Sequence, residues 1–392
     1  MKKYKFIQYG KPNLGPEENN KLKSVLKSNW IGTGPIVHQF EKNFSTYKKS
    51  NFARALNSCT AALHLSLLSL KLKKNDEIIT TPLTFAATIN SIILSGAKPV
   101  LVDIRKDTFN IDETLIEEKI SKKTKGILIV HFGGIPCDMD PIIKIAKKYN
   151  LKIIEDCAHA IEAKYKDKHT GTFGYTGCFS FYANKNITTG EGGMLTCNNK
   201  HLANQIEIMR LHGMSRDAWK RYWPKGIIPK KGLVWDHYDI KYVGLKYNMI
   251  DINAALGIIQ LRKIDSMHAA RKKIVEFYRK NLKDLPVFFQ EKGNYKFKNA
   301  YHLFTIVLDN KKTNKKRDLL LRYLTDKGVG VGVNYRSVTE MSTYKKLFRW
   351  NDRTCKNASY IGNNILSLPI YAGLKKKDQN YIIRNLRNFF KE

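Results

Sequence analysis

LKIIEDC, residues 151–157, is a short apolar run that ends in two adjacent carboxylates, Glu155 and Asp156. Such a run predicts a buried strand of a parallel sheet, because strands covered by helices on both faces are apolar along most of their length. The two acids then lie at the carboxyl end of the strand, which is where open α/β sheets bind their ligands. Asp156 is therefore a candidate site residue, although an isolated acid at this place more often belongs to a strand-end turn.

Similar apolar runs alternate with helical patterns on both sides of this stretch. Strands are predicted near residues 77–81, 98–104, 125–131 and 151–156, and helices at 60–72, 84–95, 112–122 and 140–149. This alternation predicts an α/β fold with a mostly parallel central sheet and helices on both faces.

The rest of the chain lacks this regular alternation of strands and helices. Helices are predicted at 16–27, 200–211, 251–261, 268–282 and 377–390, and strands near 300–308 and 329–335. We therefore expect a large domain over residues 1–255 and a smaller C-terminal α+β domain over residues 256–392. Residues 213–247, rich in Trp, Tyr, Pro and Lys, are predicted to form a long loop that is functional or ordered by a partner.

The segment 169–199, HTGTFGYTGCFSFYANKNITTGEGGMLTCNN, carries one lysine, Lys185, and one carboxylate, Glu191, although 26% of the chain is charged. Its composition predicts buried strands and tight glycine turns, where an unpaired ammonium group is costly. Burial lowers the pKa of a lysine amine and makes the amine nucleophilic, as a Schiff-base lysine requires. A structural lysine paired with Glu191 is the alternative for this segment taken alone.

Asp156 and Lys185 together indicate a site for pyridoxal 5'-phosphate (PLP). The acid would keep the pyridine nitrogen protonated, and the amine would form an imine with the aldehyde. Asn57, Ser58 and Thr60 precede an apolar helical pattern as N-cap candidates, and a helix N-terminus of this kind binds phosphate. Phe85 follows a predicted strand and could cover one face of a planar cofactor, although a single Phe is more often plain core.

These motifs, in this order, resemble the DegT/DnrJ/StrS family of PLP-dependent nucleotide-sugar aminotransferases, within the fold-type I aminotransferases. The resemblance runs nearly from end to end, from GKPNLGPEE (10–18) to ILSLPIY (365–371). Its most detailed parts are IIEDCAHAIEAKY and FYANKNITTGEGG. The resemblance implies a fold-type I structure with PLP as the cofactor.

The resemblance also implies roles for single residues. Lys185 matches the internal-aldimine lysine, Asp156 the acid beside the pyridine nitrogen, and His159 the residue near the ring's hydroxyl side. Phe85 occupies the ring-stacking position. A further set matches the phosphate end of the site: Ser58, Thr60, the amide of Ala61, and Ser180.

Asn248 corresponds to a residue that reaches the phosphate from the neighbouring subunit, which implies a homodimer with shared active sites. One departure is visible, because many relatives have Gly-Tyr where this chain has Gly244-Leu245. Residues 30–34 and the stretch near Tyr335 resemble segments that face the sugar and the nucleotide.

The activity implied by the resemblance is transfer of an amino group from L-glutamate to a nucleotide-linked keto sugar. A 4-keto-6-deoxy hexose is the expected substrate, and surface glycans such as lipopolysaccharide O-antigen or capsule are the expected destination. A sugar dehydratase of the same fold is disfavoured, because dehydratases that resemble this family replace the aldimine lysine with histidine. A non-catalytic regulatory protein is disfavoured by the intact set of Lys185, Asp156 and Ser180.

The global composition favours a cytoplasmic enzyme. The formal net charge is +35, but the lysines are spread in short clusters without a recognisable nucleic-acid module, so we expect no specific nucleic-acid partner. The start of the chain lacks a signal-peptide core, and no apolar run reaches the ~18 residues that span a bilayer. The six cysteines lack metal-binding spacing and are predicted to be reduced core thiols, with no metal site.

Overall fold

A computed structural model describes residues 5–215, 238–291 and 293–391 of the chain. The strands in these residues are β1 (Phe52–Leu56), β2 (Glu77–Thr80), β3 (Lys98–Leu101), β4 (Thr124–Val130), β5 (Lys152–Asp156), β6 (Lys164–Tyr165), β7 (Lys168–His169), β8 (Thr176–Ser180), β9 (Gly193–Cys197), β10 (Val287–Phe289), β11 (Phe297–Lys298), β12 (Phe304–Leu308) and β13 (Ile365–Leu368). Most of the predicted strands are therefore present, with shifted ends.

The helices over the same residues lie mainly between the strands. They are α1 (Pro16–Lys27), α2 (Pro35–Lys48), α3 (Cys59–Leu68), α4 (Ala86–Leu94), α5 (Met139–Lys148), α6 (Lys200–Met209), α7 (Asp251–Arg262), α8 (Ile264–Leu282), α9 (Arg317–Asp326), α10 (Ser342–Phe348), α11 (Lys356–Asn364) and α12 (Lys376–Lys391).

The central sheet of the described chain has seven strands in the order β1-β9-β8-β5-β4-β2-β3. β9 runs antiparallel to both of its neighbours, and the other neighbouring pairs are parallel. Leu128 of β4 packs in one core with Leu63 of α3, whereas Ile127 and Ile129 pack on the opposite face with Ile142 of α5. The predicted α/β fold, with a mostly parallel sheet covered on both faces, is confirmed.

A second, antiparallel sheet in the described C-terminal part has the order β10-β12-β13. Its core combines Tyr278 of α8, Leu320 of α9 and Leu386 of α12. A small third sheet, β11-β6-β7, joins the two regions, because Phe297 pairs with Tyr165. The division of the chain at residue 255 stays a prediction.

Several local predictions were wrong. The helix predicted at 112–122 is two short 3₁₀ helices, Glu113–Leu115 and Glu117–Lys119, because Asp112 accepts a hydrogen bond from the Thr114 amide and closes a tight turn. The strand predicted near 329–335 is reduced to isolated bridges, of Val329 with Ile7 and of Gly332 with Ser367. Glycines at 330 and 332 offer no side chains for strand packing.

Helix α2 was missed, although Pro35 stands at its first turn and Val37, Phe40 and Phe44 are buried at helical spacing. All six cysteines are buried and unpaired, as predicted. Within the described residues, no helix is long and apolar enough to cross a bilayer. Most of the loop predicted at 213–247, namely 216–237, lies outside the described residues.

Candidate active site

A cavity of about 420 Å³ lies at the carboxyl ends of β5 and β8, where the sequence placed the site. This volume is within the range of small-molecule sites. The structure brings most of the predicted site residues to its wall, namely Ser58, Thr60, Phe85, Asp156, His159, Ser180 and Lys185. Ala61 and Asn248 are not among its lining residues.

Lys185 follows β8 and extends its amine to the cavity wall. Its Nζ lies 3.4 Å from Nε2 of His302, and it forms no ion pair with Glu191, which also lines the cavity. Burial lowers the pKa of the Lys185 amine to about 8, although Cys59 and Asp156 oppose the shift. A larger fraction of this amine is therefore uncharged at neutral pH than for an ordinary lysine.

Asp156 ends β5 and is almost fully buried. Its Oδ1 accepts a hydrogen bond from the Ala158 amide at 3.1 Å, and its Oδ2 accepts one from the Thr88 hydroxyl at 3.0 Å. Burial raises the pKa of this carboxyl, while the two hydrogen bonds and the charge of Lys185 oppose the rise. The carboxylate is thus oriented by two fixed donors inside a low-dielectric pocket.

His159 lies between two aromatic rings. Its ring stacks on His302 with the centroids 4.4 Å apart and on Tyr335 at 5.8 Å. The Gly133 amide donates to Nδ1 at 3.3 Å, and Nε2 lies 3.0 Å from the Tyr335 hydroxyl. Burial and the charge of Lys185 lower the pKa of His159 well below its usual range, so the ring is neutral.

The N-terminus of α3 forms one end of the cavity. The Ser58 side chain caps the helix by accepting from the Ala61 amide at 3.1 Å, so this amide already has a partner within the chain. The amides of Cys59 and Thr60 stand at the helix start, where backbone donors lack intrahelical acceptors. Gly193 of β9 lies against this turn, and a Cβ there would overlap the carbonyl of Ser58. Hydroxyls and free amides at a helix start suit an anion.

Phe85 immediately precedes α4, and 61% of its surface is exposed. Its ring lies 5.9 Å from that of Tyr335, and both residues line the cavity. An exposed aromatic face of this kind is available to a planar ligand.

Asn248 lies outside the cavity and belongs to another network. Its side-chain amide donates to Thr33 Oγ1 at 2.6 Å, and Lys246 donates to its Oδ1 at 2.6 Å. Its backbone pairs with Leu56, two residues before the cap of α3. Leu245, the residue at which the sequence differs from the Gly-Tyr pattern noted above, packs against the core that contains α3.

The residue-by-residue predictions missed Thr88 and His302. Thr88 is one of two buried hydroxyls in α4, with Ser91, and a buried hydroxyl in a mostly apolar helix is a signal for a polar contact across the helix–sheet interface. His302 stands in AYHLF, next to the apolar strand β12, and only the folded chain brings it beside Lys185.

One cluster outside the cavity has the composition of a metal site. Potential ligand atoms of His131, Glu155 and Cys157 lie within 4.8 Å of one another. The Cys137 amide already donates to His131 Nδ1 at 3.0 Å, and the Gly171 amide donates to Glu155 at 2.6 Å. His131 and Glu155 therefore already accept hydrogen bonds from the backbone, and we assign no metal to this cluster.

The cavity fits PLP by its chemistry. A cationic or nucleophilic amine, a buried carboxylate, an open aromatic face and an anion-binding helix start are the groups that this cofactor requires. All of them face the same space.

Comparison with known proteins decides the family. A model of the DegT/DnrJ/EryC1/StrS aminotransferase family matches residues 12–387. The chain belongs to this family. The aminotransferase is 38% identical over 392 residues to SpsC, a spore coat polysaccharide biosynthesis protein of Bacillus subtilis, with 100% of this chain and 99% of SpsC covered.

Solved structures agree with this family. PseC of Helicobacter pylori, an aminotransferase involved in the biosynthesis of pseudoaminic acid, is 29% identical to the aminotransferase, with a TM-score of 0.88 over 99% of this chain and 100% of PseC. The PLP form of Spr1654 of Streptococcus pneumoniae is 29% identical, with a TM-score of 0.88 over 98% of this chain and 99% of that chain. The fold-type I structure and PLP as the cofactor are confirmed.

Proposed function

We propose that this aminotransferase moves an amino group from L-glutamate to a keto sugar carried on a nucleoside diphosphate, with a 4-keto-6-deoxy hexose as the substrate. The observation that carries the proposal is the convergence of Lys185, Asp156 and the start of α3 on one cavity. The roles of SpsC in spore coat polysaccharide and of PseC in pseudoaminic acid biosynthesis support a sugar substrate. We propose that the enzyme works in the cytoplasm and supplies amino sugars for the assembly of surface glycans.

The residues around the cavity would hold PLP as follows. Ser58, Thr60 and Ser180 would bind the phosphate. Phe85 would cover one face of the ring, and His159 would lie on the side of the ring hydroxyl. These assignments use hydroxyls and an aromatic ring that line the cavity.

When bound, PLP supplies an aldehyde that condenses with amines and a pyridine ring that acts as an electron sink. Asp156 would keep a proton on the ring nitrogen, because two fixed donors orient its carboxylate and a negative charge at that place stabilises a protonated pyridine. Lys185 would hold the cofactor covalently at rest.

After displacement by the amino donor, the Lys185 amine would act as general base and then general acid. It would remove the proton from the α-carbon of the donor and return a proton at C4′ of the cofactor. The lowered pKa of about 8 suits this work, because a proton carrier is most effective when its pKa lies near the working pH. In the second half-reaction the Lys185 amine would move protons in the opposite direction, from C4′ of the cofactor to the carbon that carries the new amino group of the sugar.

We also propose that the active unit is a homodimer with shared sites. Asn248 lies outside the cavity of its own chain and adjoins the strand that leads into α3. Its matched role at a phosphate would therefore be exercised in the cavity of a second copy. The net charge of +35 would favour the approach of anionic nucleotide sugars.

A half-reaction screen tests the substrate. L-glutamate should convert the PLP enzyme to its pyridoxamine form, which is then freed of donor and mixed with UDP-, GDP- and dTDP-linked 4-keto and 3-keto hexoses. The expected result is return of the PLP absorbance with a 4-keto-6-deoxy sugar. Lys185→Ala enzyme is the matched control and should not turn over. Conversion by another amino acid but not by glutamate would refute the donor, and no response to any keto sugar would refute the substrate class.

A further inference from the structure

His302 connects the cavity with a buried polar network behind it. Its Nε2 lies 3.4 Å from Nζ of Lys185, and its Nδ1 lies 3.0 Å from Oδ1 of Asn186. The side-chain nitrogen of Asn186 donates to Oε2 of Glu162 at 2.7 Å and to the Ala300 carbonyl at 2.9 Å. A continuous chain of hydrogen bonds therefore leads from Glu162 to the amine of Lys185.

The orientation of the Asn186 amide is fixed by two groups that only accept hydrogen bonds. A carboxylate and a carbonyl have no proton to give, so the NH₂ group must face both of them. Glu162 is fully buried, and Arg271 donates to its other oxygen, Oε1. A reversed amide would place its oxygen against two buried acceptors, which is destabilising. The Asn186 oxygen must therefore face His302.

This orientation determines which nitrogen of His302 carries the proton. Nδ1 faces an acceptor, the Asn186 oxygen, and must be protonated. Burial and the nearby charge of Lys185 lower the pKa of His302 well below its usual range, so the imidazole is neutral. A neutral ring has a single N–H, and Nε2 is left with a lone pair that faces the Lys185 amine.

We propose that Glu162, Asn186 and His302 form a positioning relay for the Lys185 amine. His302 accepts one N–H of this amine, and the stacking of His302 on His159 fixes the plane of the acceptor. With one N–H held, the lone pair of the tetrahedral nitrogen is confined to the side away from His302. The relay thus orients the proton carrier of the proposed function, on which this inference rests. None of the three residues needs to touch a substrate.

The tautomer can be measured directly in the cofactor-free protein. Long-range ¹H–¹⁵N correlation spectra of ¹⁵N-histidine-labelled enzyme report which ring nitrogen is protonated, and the signal of His302 is identified by its loss in His302→Gln. We expect the proton on Nδ1. In Glu162→Gln, the side-chain oxygen is needed as the acceptor for Arg271, so the new NH₂ group faces the NH₂ group of Asn186. The Asn186 amide is then no longer held in one orientation, and the His302 proton should move partly from Nδ1 to Nε2. A wild-type proton on Nε2 would overturn the relay whether or not the enzyme aminates sugars.

A pair of variants separates positioning from packing. His302→Gln keeps an acceptor near Lys185, whereas His302→Phe keeps a stacking ring and removes the acceptor. In His302→Phe the charged form of the Lys185 amine loses a partner, so its pKa should fall by about 1. Competitive acetylation of the cofactor-free protein at pH 7 should then show about fivefold more neutral Lys185, because the pKa in the wild type is about 8. The fall in kcat should be about tenfold or more in His302→Phe, with partial rescue in His302→Gln.

The control is His268→Phe, which removes a half-buried histidine whose Nε2 lies 2.7 Å from the Asn299 carbonyl and which neither lines the cavity nor bonds a member of the relay. It should alter neither the acetylation of Lys185 nor kcat. Equal behaviour of His302→Gln and His302→Phe in both assays would refute the relay. By contrast, cofactor attachment at a lysine other than Lys185 would refute the proposed function and leave the tautomer measurement valid.

Discussion

Replacement of Asp156 by Asn removes one charge and almost nothing else. The Ala158 amide can only donate, so the new side-chain oxygen faces it and the new NH₂ group faces Thr88. The Thr88 hydroxyl can accept from this NH₂ group and turn its own proton to Thr84 Oγ1, which lies 2.7 Å away. Both hydrogen bonds of the wild-type carboxylate are therefore replaced, and the local structure should be kept.

The two measurable effects should move in opposite directions. Loss of one preorganised electrostatic stabiliser typically costs about 2.7–4 kcal/mol at the transition state, so kcat should fall about 100-fold or more. Burial raises the pKa of Asp156 in the folded protein, which means that its charge opposes folding at pH values above that pKa. The cofactor-free Asp156→Asn protein should therefore melt at the same or a higher temperature than wild type at pH 7.

The assays are steady-state transamination and thermal unfolding of the cofactor-free protein, with Thr88→Val as the control. Thr88→Val removes one donor but keeps the charge, so its loss in kcat should be about tenfold or less. A near-normal rate for Asp156→Asn would mean that another group holds the ring nitrogen. A strong fall in melting temperature would mean that the carboxylate is mainly structural.

Three further predictions follow from the same geometry. Borohydride reduction of the PLP enzyme should fix the cofactor on Lys185, and peptide mapping to any other lysine would exclude the proposed attachment. In the cofactor-free protein the acetylation of Lys185 should be half-maximal near pH 8 and should increase as the pH rises, because burial lowers its pKa from 10.5; a midpoint above pH 10 would show that the amine is hydrated. Finally, Asn248→Asp should inactivate the enzyme, because it places a carboxylate beside the phosphate of the neighbouring site. Mixing this variant with the inactive Lys185→Ala variant should restore activity, since each mixed dimer has one intact site. Confirmed mixed dimers without recovery would contradict shared sites.

Prediction from the sequence succeeded where two local patterns, each open to a second interpretation when taken alone, supported one another. The apolar run before Asp156 predicts a buried strand, and a lysine in a charge-poor segment is costly unless it has a function. Together they predicted that Asp156 and Lys185 belong to one site, and both line the cavity. Local chemistry limited the cap of α3 to Asn57, Ser58 or Thr60, and the structure shows that Ser58 is the cap while Thr60 lies inside the helix.

What escaped prediction depends on contacts between distant parts of the chain. His302 lies 117 positions from Lys185, and Thr88 lies 68 positions from Asp156, so neither partner is marked by spacing. The failed helix at 112–122 is a local competition between a capping carboxylate and helix propagation, which periodicity does not register. The roles assigned to the individual site residues, including Ala61 and Asn248, stay predictions.

Gly193 has a consequence for reading patterns of sequence variation. Since the start of α3 rests on its α-carbon, even a methyl group there would push the helix away from its place in the cavity wall. A survey of tolerated substitutions would therefore rank this glycine beside Lys185, although it does not line the cavity. Positions that tolerate no substitution in this enzyme therefore belong to two classes. Some carry reactive groups, and others are glycines whose lack of a side chain lets the elements around the cavity pack closely. The structure distinguishes the two classes.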